Sequence, residues 1–362
     1  LLLMKFYTYR ENLIMYHVIK KIKPLITNTG PKLNKSLKIK INLKKKTLND
    51  LKFNYFGKKN KDKLFYIIKR SPGSGFFSNF VYILNHLRIS ELFNLIPIID
   101  MKHFKTIYND KYDLRNKNAW NYYFKNINKF KLEEVYKSQN VIFSSEIIDR
   151  DYYYHLDEIN KNPKLKREFN KIFIKYIKIH PKILDKAHTF YSKYKKNKIL
   201  GLHLRGTSYK NAPKHPFPIP LNLGIDICKK LLNNKKIEKI FLITEERKYL
   251  ETFKLIFDDK LIYYDSFRSN TNDAFEIYPR KLHRYKLGLE ILIEGLILSK
   301  CDSIISNMTN VSSASIFLSN KKNKIFHVFL GYNSSNKFIA SFLWYIKKML
   351  PKNFFGFNPK IF

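Results

Sequence analysis

The stretch "GLHLRG" closes an apolar run with a histidine and an arginine two residues apart. Side chains alternate along a strand, so His203 and Arg205 share one face at its end. Arginine offers a planar fork of donors that matches phosphate oxygens, and it keeps its charge at any working pH. Gly206 beside it lets a ligand approach the backbone closely. The competing reading is a surface ion pair for Arg205 and a satisfied core histidine for His203. After "IFLIT" stand Glu245, Glu246 and Arg247. Carboxylates at that place accept hydrogen bonds from a base or a ribose, or open a helix whose dipole favours them. After "CDSIIS" comes "NMTNVSSASIFLS", with Asn310 and Ser312 where a helix should begin. Such an end caps itself with Asn or Ser and also turns free N–H groups towards an anion. The loop "RSPGSGFFSN" lacks the lysine and hydroxyl of a P-loop. No H-E-x-x-H or G-x-S-x-G occurs, Asp258-Asp259 is not a D-x-D, and no metal site is expected.

These residues need strand ends and helix starts to hold them. "KLFYIIK", "LIPIID" (95–100) and "NVIFSS" (140–145) have the short, bounded apolar form of buried strands. A helix from about Phe77 to Phe93, with Phe80, Ile83, Leu84 and Leu87 on one face, separates the first two. Residues 163–195 are helical in pattern and broken near Pro181. A second alternating series follows: "KILGLHL" (198–204), a helix over 220–233, "IEKIFLIT" (237–244), "KLIYYD" (260–265), "CDSIIS" (301–306) and "KIFHVF" (324–329). A long helix over 281–300 carries Leu282, Tyr285, Leu289, Leu292 and Leu296 on one stripe. Strands alternating with helices imply parallel sheets with helical crossovers. The expected class is therefore α/β, with two Rossmann-like domains facing each other. The expected division is a basic extension (1–63), a first domain (64–195), a second (196–335), and a final helix (336–362) returning to the first.

Composition sets the outer bounds. The chain has 362 residues with 44% hydrophobic and 16% aromatic content, enough for a sizeable core. Lys and Arg number 69 against 29 Asp and Glu, a formal charge of +40. Such a surplus suits nucleic acid, an anionic membrane or phosphorylated substrates. The lysines are spread over nearly every segment, however, which favours a compositional bias shared with Asn and Ile. No base-stacking RNA motif accompanies them, so nucleic acid is not the expected partner. Two cysteines, Cys228 and Cys301, exclude a disulfide framework and fit a reducing compartment. Within residues 1–63, Ile14, Val18 and Ile22 fall at the spacing of a basic amphipathic helix. No run reaches the roughly 18 apolar residues of a membrane span, and no signal-peptide pattern is visible. The expected location is cytoplasmic, with peripheral contact at an anionic membrane face. The sequons at Asn307 and Asn333 carry little weight without a secretory signal.

Taken together, "PGSGFFSNFVYILNHL", "GLHLRGTSYK", "IFLITEE", "HRYKLGLEILIEGLILSKCDSIIS" and "NVSSASIF" stand in the order seen in fucosyltransferase-like glycosyltransferases. The resemblance spans about residues 64–335. It implies the GT-B architecture, GDP-fucose as donor, a glycan or glycoconjugate as acceptor, inversion at the anomeric carbon, and neither metal nor cofactor. Position by position, Arg205 resembles the family's donor-diphosphate arginine, in an H-x-R motif with His203 and followed by Gly206. Glu245 and Glu246 match an acidic pair, Glu294 an acidic residue on the long helix, and Asn310 and Ser312 a serine-rich phosphate loop. Asn79 matches an asparagine that faces the donor. Relatives follow the arginine with a second arginine and an acidic residue, where this chain has Gly206 and Ser208. Ala212 and Pro213 occupy the region of the acceptor base, which leaves His215 and Glu294 as candidates for that role. An inactive nucleotide-sugar-binding homologue is the alternative.

Overall fold

The computed structural model describes residues 53–361 apart from 74, 113, 115, 145–152 and 234–236. The amphipathic pattern at Ile14, Val18 and Ile22 lies outside the described residues. Two α/β units follow each other, each built around parallel strands.

The first sheet has the order β2 (Ile96–Ile99), β1 (Lys59–Ile68), β3 (Ser138–Phe143), all parallel. The last residues of β1, Phe65–Ile68, are fully buried, as befits a central strand covered on both faces. β1 starts four residues before the expected "KLFYIIK", because Lys59 still pairs with Ser138 across a register shift. Asn54 also bonds Val141 through its backbone. Residues 54–63 thus pack on the first sheet, which moves the expected boundary at 64 towards the N-terminus.

Helix α1 (Phe76–Leu92) crosses from β1 to β2 and is buried nearly all round. One side faces its own sheet and the other faces the second unit, so an apolar stripe alone does not describe it. Helices α2 (Leu156–Lys161), α3 (Pro163–Tyr176) and α4 (Pro181–Ser192) join the units. Asn162 caps α3 by accepting from the backbone N–H of Lys164 and Leu165, with Pro163 at the first helical position; such a cap is worth about 1 kcal/mol.

The second sheet runs β6 (Leu261–Ile262), β5 (Lys239–Thr244), β4 (Ile199–Leu204), β7 (Ser303–Ser306), β8 (Lys324–Phe329), β9 (Lys360–Ile361). All neighbours are parallel except β8 and β9. Its helices are α5 (Leu221–Asn233), α6 (Arg247–Phe257), α7 (His283–Leu298), α8 (Asn310–Leu318) and α9 (Lys337–Met349). β6 is only two residues long, against the six of "KLIYYD".

One apolar cluster runs through both units, joining Tyr66, Phe77 and Phe80 to Phe241, Ile293, Ala314 and Phe317. Helix α7 approaches α1 closely enough that a Cβ on Gly295 would lie 2.7 Å from Phe77 Cζ. A side chain there would push the units apart.

The final helix departs from expectation. α9 packs on the second unit and not the first, since Trp344 is buried with Leu200, Leu202 and Phe217. Its indole N–H donates to Pro218 O at 2.9 Å, and β9 then pairs with β8. A buried indole needs an acceptor for its N–H, and the "PFPIP" segment supplies it.

Candidate functional site

In the second sheet the chain steps outward from β4 through β5 to β6, then returns to lay β7 on the other side of β4. The crevice of such a sheet opens at this reversal, beyond the carboxyl ends of β4 and β7. His203 and Arg205 lie at one lip, Ser306 to Thr309 at the other.

One hydrogen bond ties the two lips. His203 is buried with Nδ1 2.9 Å from Thr309 Oγ1. Burial, reinforced by the Arg205 charge, pushes its pKa well below the ordinary imidazole range, so the ring is neutral. Thr309 is the N-cap of α8, its Oγ1 accepting from Ser312 N at 3.3 Å. The Ser312 hydroxyl is buried among hydroxyls, 3.0 Å from both Ser306 Oγ and Thr309 Oγ1. Ser312 therefore builds the α8 turn from within, whereas Asn310 is exposed at its start. The sequence pointed to Asn310 and Ser312 and passed over Thr309.

Asn307 is the other residue that sequence reasoning missed. It is 2% exposed, yet neither Oδ1 nor Nδ2 has a hydrogen-bond partner among the described residues. A buried amide left so costs about 1–3 kcal/mol and calls for an explanation such as a ligand. Its place directly after an apolar strand was the available signal. Burial of Asn307 and Asn333 also removes both sequons from the surface.

Arg205 lies over the Tyr209 ring, 4.8 Å from guanidinium carbon to centroid. Its Nε is 3.5 Å from Glu245 Oε1, within ion-pair range but without hydrogen-bond geometry. The two adjacent glutamates divide their work. Glu245 faces the crevice and accepts from Gly206 N at 2.8 Å. Glu246 turns inward to accept from Thr207 N and Lys210 Nζ. A Cβ on Gly206 would lie 2.3 Å from the Glu246 carboxyl carbon. A protein carboxylate thus already requires a glycine at this position.

A cleft of about 200 Å³ collects His203, Arg205, Glu245, Ser266, Glu294 and, from the first unit, Tyr108. Glu294 is buried on α7, and its Oε1 accepts from Ser266 Oγ at 2.9 Å and Arg268 Nη2 at 3.3 Å. No hydrogen bond reaches its Oε2 among the described residues. Burial raises the Glu294 pKa to about 8, opposed by Arg268 and Ser266. One turn earlier, Glu290 is held by Arg280, at 2.8 Å between Nη2 and Oε2, and by Phe267 N at 3.0 Å. Tyr108 Oη accepts from Phe76 N, the first amide of α1, at 3.0 Å. Burial pushes this phenol to about 12, and the nearby Arg205 charge pulls it back. Nothing in the loop around Tyr108 marked it, because its place in the cleft comes from the packing of one unit on the other.

The remaining expected residues lie elsewhere. Asn79 spends its amide on its own loop, accepting from Ser71 N at 2.9 Å and donating to Gly75 O at 3.1 Å. It borders a small apolar void in the first unit and does not line the cleft that holds Arg205. His215 stands beside Tyr209, ring centroids 5.3 Å apart. Lost solvation and the Arg205 charge lower its pKa, but it does not line the cleft. Among the described residues no group of His, Cys, Asp and Glu is placed to hold a metal ion. Cys228 and Cys301 are both free and buried, and no described helix is long and apolar enough to cross a membrane.

No family model and no curated protein matches the chain. Solved structures that resemble it include the fucosyltransferase NodZ from Bradyrhizobium, at 14% identity over 73% of this chain and 95% of that one, TM-score 0.46. POFUT1 in complex with GDP is 10% identical over 73% of this chain and 98% of that one, TM-score 0.38. An Arabidopsis thaliana FUT1 variant in complex with GDP is 9% identical over 73% and 70%, TM-score 0.38.

Proposed function

We propose that the chain is an inverting, metal-independent glycosyltransferase that moves fucose from GDP-fucose to a hydroxyl of a glycan or glycoconjugate. The observation that carries this reading is the cleft itself, lined by Arg205 and by the buried carboxylate of Glu294, with His203 tying its wall to the N-cap of α8. The donor's identity rests on the motif resemblance. The diphosphate would lie at the carboxyl ends of β4 and β7, against Arg205 and the first amides of α8.

In the reaction the bond from the anomeric carbon to the β-phosphate oxygen breaks, and the acceptor oxygen attacks from the opposite face. The electron pair leaves with GDP, so the demand is for positive charge where the phosphate gains negative charge. Arg205 and the α8 dipole are fixed there before reaction, the arrangement that makes electrostatic stabilisation effective. Neutral His203 holds Thr309, and through it the start of α8, at the right height. The acceptor proton goes to Glu294, whose unbonded Oε2 is the basic oxygen; a base near its working pH is the efficient one.

Thermal shift with GDP, GDP-fucose and UDP tests the reading. At 100 times its dissociation constant a nucleotide should add about 2.7 kcal/mol, and GDP but not UDP should do so. Arg205→Ala should remove the response. An equal response to UDP, or none to either nucleotide, would sink the donor assignment. Donor turnover then separates an enzyme from a protein that only binds the nucleotide sugar.

A further inference from the structure

Helix α9 turns its apolar side the wrong way for a soluble surface. Only Ala340 and Trp344 are buried, and they seat the helix on the loop that follows Arg205, where Asn333 bonds Lys210 O and Ala340 O. On the far side Phe338, Phe342, Tyr345, Ile346 and Met349 recur at helical spacing and are all exposed, Phe338 by 76% and Met349 by 84%. At about 100° per residue they cover roughly a third of the circumference. A surface helix ordinarily shows polar residues there. The exposed apolar run continues past the helix end through Leu350 to Phe354 and Phe355, 72% and 67% exposed. These two sit in a turn closed by bonds from Phe354 N and Gly356 N to Pro351 O.

Charge along this stretch of chain has one sign. No Asp or Glu occurs from Ser303 to Phe362, while Lys337, Lys347, Lys348, Lys352 and Lys360 lie in the helix and the segment after it. Four of these lysines are exposed; Lys347 instead covers the Phe355 ring at 4.1 Å. Lysines at both helix ends can carry their charge outward while their stems follow the apolar surface inward. The face is a single proud helix and not a groove, which suits a surface that yields around it. At 13 residues the helix is about 20 Å long, short of the roughly 30 Å hydrocarbon core of a bilayer.

We propose that α9 and the turn at 351–356 form a docking surface for an anionic lipid bilayer, with the helix lying in the plane of the interface. Exposed aromatic and aliphatic side chains enter the headgroup boundary, and the lysines meet acidic headgroups. Because α9 rests on the loop after Arg205, docking holds the glycosyl-transfer crevice at the membrane. The proposal does not rest on the donor assignment, since it concerns a different surface with a different readout.

The test is co-sedimentation with vesicles of phosphatidylcholine alone and with 30% phosphatidylserine added. The unmodified chain should bind the serine-containing vesicles, and more weakly as NaCl rises. Phe338→Glu/Phe342→Glu/Met349→Glu should lower that affinity at least tenfold with Tm changed little and the GDP response unchanged, as these side chains are exposed and the one ring contact among them, Phe338 on Phe342, lies on the surface. Lys337→Glu/Lys348→Glu/Lys352→Glu should remove the preference for phosphatidylserine. Absence of vesicle binding by the unmodified chain overturns the proposal. So does undiminished binding by the triple glutamate variant, which would put the contact elsewhere. A dimer by light scattering that the variant dissociates, without vesicle binding, would assign the face to a second copy.

Discussion

The loop at the start of α1 and the crevice at the ends of β4 and β7 have similar ingredients: glycines, serines, an asparagine, a helix N-terminus. In the first, the polar side chains of Ser71, Ser78, Asn79 and Tyr108 are engaged nearby. Asn79 closes the loop with both ends of its amide, Ser71 Oγ lies 3.0 Å from Ser78 Oγ, and the Tyr108 hydroxyl accepts the first amide of α1. In the second, both Asn307 amide atoms and Arg205 Nε are buried without a hydrogen bond among the described residues, and Glu294 Oε2 receives none there. A satisfied loop is a structural part, while open buried donors and acceptors are a standing cost that a ligand can relieve. Residue type alone does not tell the two apart.

Three substitutions probe that contrast. The largest effect should come from Glu294→Gln, which keeps the shape but removes the base and should lower kcat by about 10²–10⁴. In the parent, activity should rise as pH climbs through about 8, because the base works deprotonated; the variant should lose that limb. Stability should run the other way. A carboxyl raised on folding contributes fully below its unfolded pKa and loses that contribution as pH rises through about 8. Glu294→Gln should flatten this dependence, and a parent profile flat in both readouts would remove Glu294 from the base role.

Next is Asn79→Ala, which breaks two bonds of the first-unit loop and should cost about 1–3 kcal/mol of stability. Denaturation should report the loss while GDP affinity, measured by calorimetry, stays within twofold. Affinity falling with stability unchanged would return Asn79 to the donor site. The smallest change should come from Asn307→Ala. Roughly tenfold weaker GDP binding is expected, about one hydrogen bond's worth, together with unchanged or raised stability of the free protein. Lower stability and unchanged affinity would mean that the amide is satisfied within the protein.

The α/β class and nearly every strand and helix were legible in the chain. So was the place of the residues after "KILGL" and "CDSIIS" at strand ends, since alternation follows from local covalent geometry. The departures share one cause. The extent of β1, the shortness of β6 and the seat of α9 depend on partners far away in sequence: Ser138 for Lys59, and Pro218 for Trp344. The same holds inside the site. Sequence placed Glu245 and Glu246 together, but only the fold sends one into the cleft and the other to Lys210, because Gly206 leaves space for a single carboxylate.

Sequence by itself therefore determined which residue types stand at the ends of the strands, and with them the chemistry on offer: a permanent cation, carboxylates and helix-start hydroxyls. Tertiary structure decided which of those groups stay open. It brought Tyr108 to Arg205, left Asn307 without a partner, and buried Glu294 beside Arg268. The physical reason is that hydrogen-bond satisfaction and desolvation depend on three-dimensional neighbours, whereas strand alternation and helix capping depend on residues a few places along the chain.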